Sequence, residues 1–244
     1  MDGVQKDIVA RLQQDILRLQ GPRPANDPLA GKVELGPVLD AFPQQVFPTG
    51  AVHEYISGSP AATAASSGFI AGILGSLMQN GGCCVWISQE KIIFPPGLKA
   101  FGIEPERVLF IHLKKEKDIC WAMEAALQVE GLAGVVSELP DLNFTVSRRL
   151  QLAVEKSGVT GFVLRQQPRK LHPTACVGRW QISSLASYYP DGMPGIGFPC
   201  WNVELQKIRG GKPGSWQLVW MDGHFHALPD TSLISSQTLL RKIG

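Results

Sequence analysis

The sequence predicts an α/β fold: a mostly parallel sheet flanked by helices, with an antiparallel extension at its C-terminal end. Two observations lead to this prediction. From Gly50 to Arg165, short apolar segments alternate with helical patterns, which is typical of parallel strands joined by helices that cover both faces of a sheet. Beyond Arg165, three strand-like segments follow one another with no helix between them, and such segments pair as antiparallel neighbours.

The individual elements follow from apolar runs and their periodicity. Parallel strands are predicted at 52–57, 83–88, 107–113, 134–137 and 160–165. The helices are predicted at 64–78, 95–101, 117–129 and 145–156. The antiparallel strands are predicted at 177–185, 200–209 and 215–221, with a Gly-Gly-Lys-Pro-Gly turn between the last two.

The chain divides into four predicted parts. Residues 1–20 contain an amphipathic helix, residues 21–49 are rich in Pro and Gly and predict a linker, residues 50–228 form the core domain, and residues 229–244 form a flexible tail. The apolar stripe of the helix needs a protein surface to cover it, either the body of this chain or another chain. This stripe contains Val4, Ile8, Leu12 and Ile16.

Composition excludes several classes of protein. With 244 residues, 44% of them hydrophobic, the chain can bury one sizeable core. A net charge of +2 argues against a polyelectrolyte binder of nucleic acid. The five cysteines have no metal-ligand spacing, and their odd number without a secretory signal predicts a reducing cytosol. His224 and His226 alternate on a probable strand but have no third ligand nearby, so no metal is expected. We expect no membrane span, because no apolar run approaches about 18 residues.

Residues 52–65 have the frame of a nucleoside-triphosphate site without the residues that bind phosphate. A buried strand runs into a loop and then into a small-residue helix, the arrangement found in phosphate-loop proteins. In the working motif, G-x-x-x-x-G-K-[ST], the lysine contacts the phosphates and the hydroxyl holds magnesium. Here Gly58 is present, but Thr63, Ala64 and Ala65 occupy the positions of the second glycine, the lysine and the hydroxyl residue. We therefore expect no ATP hydrolysis and no bound cofactor.

Two acidic residues stand where predicted strands end, which is where nucleotide sites place their carboxylates. Glu90 follows the strand 83–88, and Glu138 follows the strand 134–137. Glu138 could replace a metal-holding aspartate, and Glu90 could be a relic of a catalytic base. A glutamate without a phosphate-binding lysine and a magnesium-binding hydroxyl does not make an ATPase. A solvated carboxylate at a strand end therefore remains the alternative for Glu90.

Basic residues predict a surface for an acidic partner or for DNA. The segment 165–212 contains seven Lys or Arg and two Asp or Glu. Lys207 and Arg209 lie on the same face of a predicted strand, because side chains on a strand alternate with a period of two. Cations side by side repel unless an anion lies near. The candidates for binding a partner or DNA are Arg148, Arg149, Lys207, Arg209 and Lys212; a solvated face is the alternative for all of them.

Several segments resemble the RecA-type ATPase core. Residues 84–90, CVWISQE, are similar to the RecA strand that ends in the water-activating glutamate, which is the position of Glu90. Residues 102–109, GIEPERVL, are similar to the segment after it. Residues 203–210, VELQKIRG, are similar to the strand whose basic pair reaches the nucleotide of a neighbouring subunit. The resemblance implies a RecA-like phosphate-loop core.

A longer resemblance is to the ImuA family, RecA-related accessory proteins of bacterial damage-induced mutagenesis. It rests on the runs 100–107 (AFGIEPER), 121–127 (WAMEAAL), 147–153 (SRRLQLA), 157–161 (SGVTG) and 209–216 (RGGKPGSW). It implies a non-catalytic adaptor in SOS-type translesion DNA synthesis. The implied partners are ImuB, a catalytically inactive relative of Y-family polymerases, and an error-prone replicative-type polymerase. We also expect RecA or a second copy of the chain as a further partner, and contact with DNA stays open.

Two other functions stay open at this stage. One is an active RecA- or KaiC-type ATPase in recombination or repair, against which the altered loop argues. The other is a SulA-like inhibitor of cell division, a binding protein that is also derived from RecA. The first helix, the linker and the run 209–216 favour the ImuA family.

Charged substitutions at Ile8 and Leu12 should weaken self-association or binding to a RecA-family partner and leave the core folded. Burial of each such side chain contributes roughly 1.5–3 kcal/mol at most. Analytical ultracentrifugation measures the association, and thermal unfolding measures the core. Unfolding of the core in these variants would show that the helix is an internal part of the domain.

Overall fold

A nine-stranded sheet organises the computed structural model, which describes residues 33–79, 81–168, 170–190 and 195–229. The strands are β1 Val52–Ser57, β2 Cys84–Ser88, β3 Val108–His112, β4 Gly134–Glu138, β5 Thr160–Gln166, β6 Gly178–Tyr188, β7 Phe198–Ile208, β8 Gly214–Met221 and β9 His224–Ala227. Their order in the sheet is β3-β2-β4-β5-β1-β6-β7-β8-β9.

The pairing of the strands confirms the predicted α/β class. The neighbours from β3 through β6 pair in parallel, and those from β6 to β9 pair antiparallel. The predicted helix at 95–101 is a 3-10 helix, Pro95–Phe101, which starts with two prolines. Because β1 lies near the middle of the sheet, the loop that follows it lies at the centre of the carboxyl edge.

Helix α1, Pro60–Met78, is the core helix of one face of the sheet. Ser59 caps its first turn by accepting a hydrogen bond from the Ala62 amide (3.2 Å), and Pro60 occupies the first helical position. Small residues let neighbouring segments approach closely: a Cβ on Gly75 would lie 2.0 Å from the Phe101 carbonyl oxygen. The helix is therefore buried around nearly its whole circumference from Ala65 onwards.

The same helix tests the expectation that the chain has no membrane span. By length and composition α1 could cross a bilayer, with 19 residues and a mean hydropathy of 1.4. The expectation that no segment of the chain would reach this length and apolarity was wrong. In the fold, 78% of that apolar window is buried inside the protein, as expected of a core helix.

Two helices cover the other face of the sheet. They are α2, Glu116–Leu127, and α3, Phe144–Ser157. Asn143 caps α3 by accepting from the Val146 amide (2.9 Å), and Gly158 ends it with φ of 73°. Their apolar residues form a second core with the strand residues that point to this face, because successive strand side chains alternate between faces.

Residues 33–49 pack against the core, although the sequence predicted them as part of a linker. They contain two short 3-10 helices, Gly36–Ala41 and Pro43–Gln45. Val33, Leu35, Val38, Phe42 and Phe47 are at most 4% exposed and join the core on the α1 face. The predicted helix at 1–20, the first part of the linker and residues 230–244 of the tail lie outside the described residues.

His53 on β1 is a neutral imidazole locked in the core by two hydrogen bonds. Its Nδ1 lies 3.3 Å from Trp180 Nε1, which can only donate, so its Nε2 carries the proton and donates to the Pro48 carbonyl (2.8 Å). The ring also stacks on Phe47, with ring centroids 4.6 Å apart. Burial lowers the pKa of His53 from 6.5 to about 4, and the bond to Pro48 opposes this shift.

His53 should make the protein less stable as the pH falls from about 6.5 to about 4. In this window the imidazole is protonated in the unfolded chain and neutral in the fold, so protons favour unfolding, by about 3 kcal/mol at most. The His53→Gln variant keeps an acceptor and a donor and should lose this part of the pH dependence. Urea denaturation of both proteins at several pH values measures the difference. Parallel stability curves for the two proteins would contradict the assignment.

Candidate functional site

A cleft of about 700 Å³ opens at the carboxyl edge of the parallel strands. Much of its polar lining comes from residues that end or follow four strands: Ser59 after β1, Glu90 after β2, Glu138 at the end of β4 and Gln166 at the end of β5. The start of α1 forms one wall. The structure therefore brings the predicted phosphate-loop position and both candidate carboxylates to a single cleft.

The residues of the altered loop occupy different positions around this cleft. Thr63 and Ala64 line it, Gly58 is exposed beside it, and Ala65 is buried in the core. The hydroxyl of Thr63 donates to the carbonyl of Ser59 (3.2 Å) within the first helical turn. Ala64 presents a methyl group where a phosphate-binding lysine would extend into the cleft.

The start of α1 also offers few backbone donors to an anion. Pro60 has no N–H group, and the amides of Ala62 and Thr63 donate to the side chain and the carbonyl of Ser59. Helix N-termini bind phosphate through their free amides. No lysine or arginine is found among the described residues that line the cleft. Among the described residues, the cleft therefore lacks the cations that bind phosphate, and the start of α1 supplies few free amides in their place.

Glu138 is the buried acid of the cleft. It is 6% exposed and accepts hydrogen bonds from Trp86 Nε1 (3.3 Å) and Gln166 Nε2 (3.0 Å). Burial raises the pKa of Glu138, the two hydrogen bonds oppose this shift, and the charge of Glu90 adds to it. Glu90 itself is exposed at the cleft. The two carboxylates therefore make the cleft acidic and attractive to a cation.

The opposite wall of the cleft is apolar and was missed in the sequence. It is formed by the segment 92–101, in which Ile92 is 56% and Phe94 is 72% exposed. Leu98 and Phe101 continue this wall towards the core. The run Ile-Ile-Phe-Pro-Pro-Gly at 92–97 was a possible signal, since three large apolar residues precede a proline pair that stops a regular helix.

Arg148 and Arg149 lie on α3 and do not line the cleft. Nε and Nη2 of Arg149 both donate to the carboxylate of Glu124 on α2, and Nε lies 3.1 Å from Oε1. Arg148 lies 3.9 Å from Glu155 on its own helix. Arg149 thus has an acidic partner within the chain. Arg148 is exposed, with a loose ion pair.

The side chains of Lys207 and Arg209 form hydrogen bonds to a neighbouring loop. Lys207 Nζ donates to the Thr174 carbonyl (3.2 Å), and an Arg209 Nη donates to the Ala175 carbonyl (3.1 Å). Both residues are exposed overall, as is Lys212 in the turn before β8. The sequence predicted that an anion would be needed to offset the repulsion between these neighbouring cations. In the structure, the loop carbonyl oxygens offset it.

A buried ionic network under the same loop was not found from the sequence. Glu54 on β1 is fully buried and accepts from Arg165 Nη1 (3.0 Å), from Arg179 Nε (2.9 Å) and from the Thr174 hydroxyl. Arg165 also donates to the Lys170 carbonyl (3.1 Å). The signal was a charged residue in each of two apolar strands, since charges are buried only when they are paired.

The two candidate metal-binding histidines do not form a metal site. The rings of His224 and His226 are 6.5 Å apart at right angles, and His224 Nδ1 lies 3.4 Å from Glu34. Within the described part of the chain, no group of three His, Cys, Asp or Glu side chains is placed to hold a metal ion.

The geometry defines the class of protein: an α/β protein with a mostly parallel sheet and an acidic, apolar cleft at its carboxyl edge. Two curated relatives identify the family. Protein ImuA of Caulobacter vibrioides strain NA1000 / CB15N is 33% identical over 195 residues, which are 75% of this chain and 80% of the relative. The ImuA protein of strain ATCC 19089 / CIP 103742 / CB 15 gives the same values. The chain belongs to the ImuA family. No family model matches it.

Replacement of Glu138 by Gln should remove a loss of stability that occurs as the pH rises above about 4.5. The raised pKa means that the fold binds this proton more tightly than the unfolded chain, so ionisation costs stability. The amide keeps the shape and can bond both neighbours. Denaturation curves from pH 4 to 8 measure the effect, with Glu106→Gln, at an exposed acid outside the cleft, as a control. A variant that becomes less stable relative to the parent at higher pH would contradict the assignment.

Proposed function

We propose that this protein is a non-catalytic accessory protein of SOS-type, damage-induced translesion DNA synthesis, built on a RecA-like phosphate-loop core. Membership of the ImuA family carries the proposal. The cleft supports the non-catalytic part, because an alanine methyl and two carboxylates stand where phosphate needs a cation. The core assignment draws support from the strand–loop–helix frame of β1 and α1, and from Glu90 and Glu138 at the ends of β2 and β4.

The proposed partners are an ImuB-like inactive Y-family polymerase and an error-prone replicative-type polymerase, with RecA or a second copy as a further partner. The surface to test first is the basic loop surface, defined as Lys170, Arg179, Lys207, Arg209 and Lys212. Arg179, Lys207 and Arg209 each donate a hydrogen bond to a carbonyl of the loop 170–175. The Lys170 carbonyl accepts a further hydrogen bond from Arg165. A loop held in place in this way presents its positive charge at a fixed position, which favours recognition of an acidic protein surface or of DNA.

Clean deletion of the gene tests the function itself. Deletion should lower the frequency of damage-induced mutation, and the wild-type gene supplied in trans should restore it. Normal induced mutagenesis in the deletion strain would overturn the proposed function.

The double reversal Lys207→Glu with Arg209→Glu tests the basic loop surface. It should fail to restore induced mutagenesis and should weaken binding to ImuB or primed DNA, as raised salt does. The structure also predicts a moderate loss of stability, about 1 kcal/mol for each lost bond to a loop carbonyl. Mutation frequency, pull-down and thermal unfolding are the three measurements.

The matched control is Lys114→Glu with Lys115→Glu, since both residues are exposed and follow β3 at the far edge of the sheet. It changes the net charge by the same amount and should behave as wild type. Normal mutagenesis in the Lys207 and Arg209 variant would reject this surface but not the function.

A further inference from the structure

The cleft has the chemistry of a groove for a basic, aliphatic peptide. One wall is apolar, with Ile92, Phe94, Leu98 and Phe101, and the lining also contains the acids Glu90 and Glu138. The described lining residues include no lysine or arginine. The cleft therefore favours an occupant with aliphatic side chains for the wall and a positive charge for the carboxylates. Its volume of about 700 Å³ suits several side chains.

The chain itself contains such a segment outside the described residues. The sequence Leu239-Leu240-Arg241-Lys242-Ile243 combines three aliphatic side chains with two adjacent cations. No acidic residue lies between Pro229 and the end of the chain other than Asp230. The segment thus matches the cleft in both charge and apolar character.

The described chain ends close enough for this segment to reach the cleft. The Leu228 amide donates to the Gln217 carbonyl (2.9 Å), so the chain leaves the sheet beside the middle of β8. Trp220, three residues and about 10 Å further along that strand, contacts the cleft wall: its Nε1 donates to the Ala100 carbonyl (2.9 Å). The ten residues from Pro229 to Leu239 span up to about 33 Å when extended. The path from Leu228 to Ala100 of the wall segment follows only about 10 Å of β8 and the side chain of Trp220, so the wall lies within reach of a chain of that length.

We propose that residues 239–243 bind in this cleft of the same molecule, with the leucines against Ile92 and Phe94 and Arg241 or Lys242 beside Glu90 and Glu138. The cleft at the position of a nucleotide site is then a peptide-binding groove, and residues 239–243 of the same chain occupy it. A partner with a similar basic, aliphatic segment would have to displace it. This inference does not depend on the role in mutagenesis, so the two can fail separately.

Site-specific photocrosslinking in the full-length chain tests the proposal. A photoreactive benzoylphenylalanine replaces Leu240, and the same residue at Ser235, outside the aliphatic-basic segment, is the control. Irradiation of the Leu240 protein should give a monomer-sized product whose crosslinked peptide contains residues 92–101. Crosslinks to another surface, or a dimer-sized product from a second copy, would overturn the intramolecular assignment.

Charge variants test whether the Leu240 crosslink results from binding in the cleft or from chance proximity. Glu90→Lys should lower the yield of the Leu240 crosslink by about threefold or more, as expected for loss of an ion pair and gain of repulsion at a partly exposed site. Adding Arg241→Glu and Lys242→Glu should restore the yield. Glu106→Lys, an exposed acid outside the cleft, should leave it unchanged. Equal yields in the Glu90 and Glu106 variants would refute the proposed ionic contact.

Discussion

Close packing around α1 is the constraint on which the rest of the structure depends. The helix packs against the sheet and the segment 95–101, and its glycines allow close contacts where a side chain would clash. The Gly75 position faces the Phe101 carbonyl, and the Gly72 position faces the Phe225 ring. This packing fixes the start of α1 at the carboxyl edge of β1 and holds the segment 92–101 opposite it. The cleft is lined by both, so the position of its apolar wall depends on the close approach that the small residues of the helix allow.

Charge is arranged in two separate places. On the α3 face, buried Glu54 is neutralised by Arg165 and Arg179, and cationic side chains hold the carbonyls of the loop 170–175. Such a network contributes less to net stability than its contacts suggest, because desolvation offsets the attraction. It does hold the loop in one geometry. At the carboxyl edge, Glu90 and Glu138 stand near each other without a cation among the described lining residues. The charge of Glu54 is balanced by arginines of the same chain, whereas the carboxylates of Glu90 and Glu138 can bind an additional positive group.

The sequence predicted those features that depend on local pattern. Strand and helix periodicity predicted the parallel core and the antiparallel extension, and the strand–loop–helix frame predicted where Thr63, Ala64, Glu90 and Glu138 meet. It did not predict that residues 33–49 pack on the core, because a Pro- and Gly-rich composition resembles a linker until its Val, Leu and Phe residues find a surface. It also missed the partners of Glu54, Lys207 and Arg209. Those contacts join residues 33 to 125 positions apart along the chain, which no periodicity reports.

We propose that the frame of a nucleotide site persists in this protein without nucleotide chemistry. Steady-state hydrolysis of ATP with magnesium, measured on purified full-length protein and on a Glu90→Ala variant prepared in the same way, distinguishes this state from an active ATPase. Because positions 64 and 65 carry alanines in place of a lysine and a hydroxyl residue, we expect both proteins to show the same background rate. Magnesium-dependent turnover by the wild-type protein above that of the Glu90→Ala variant would contradict it.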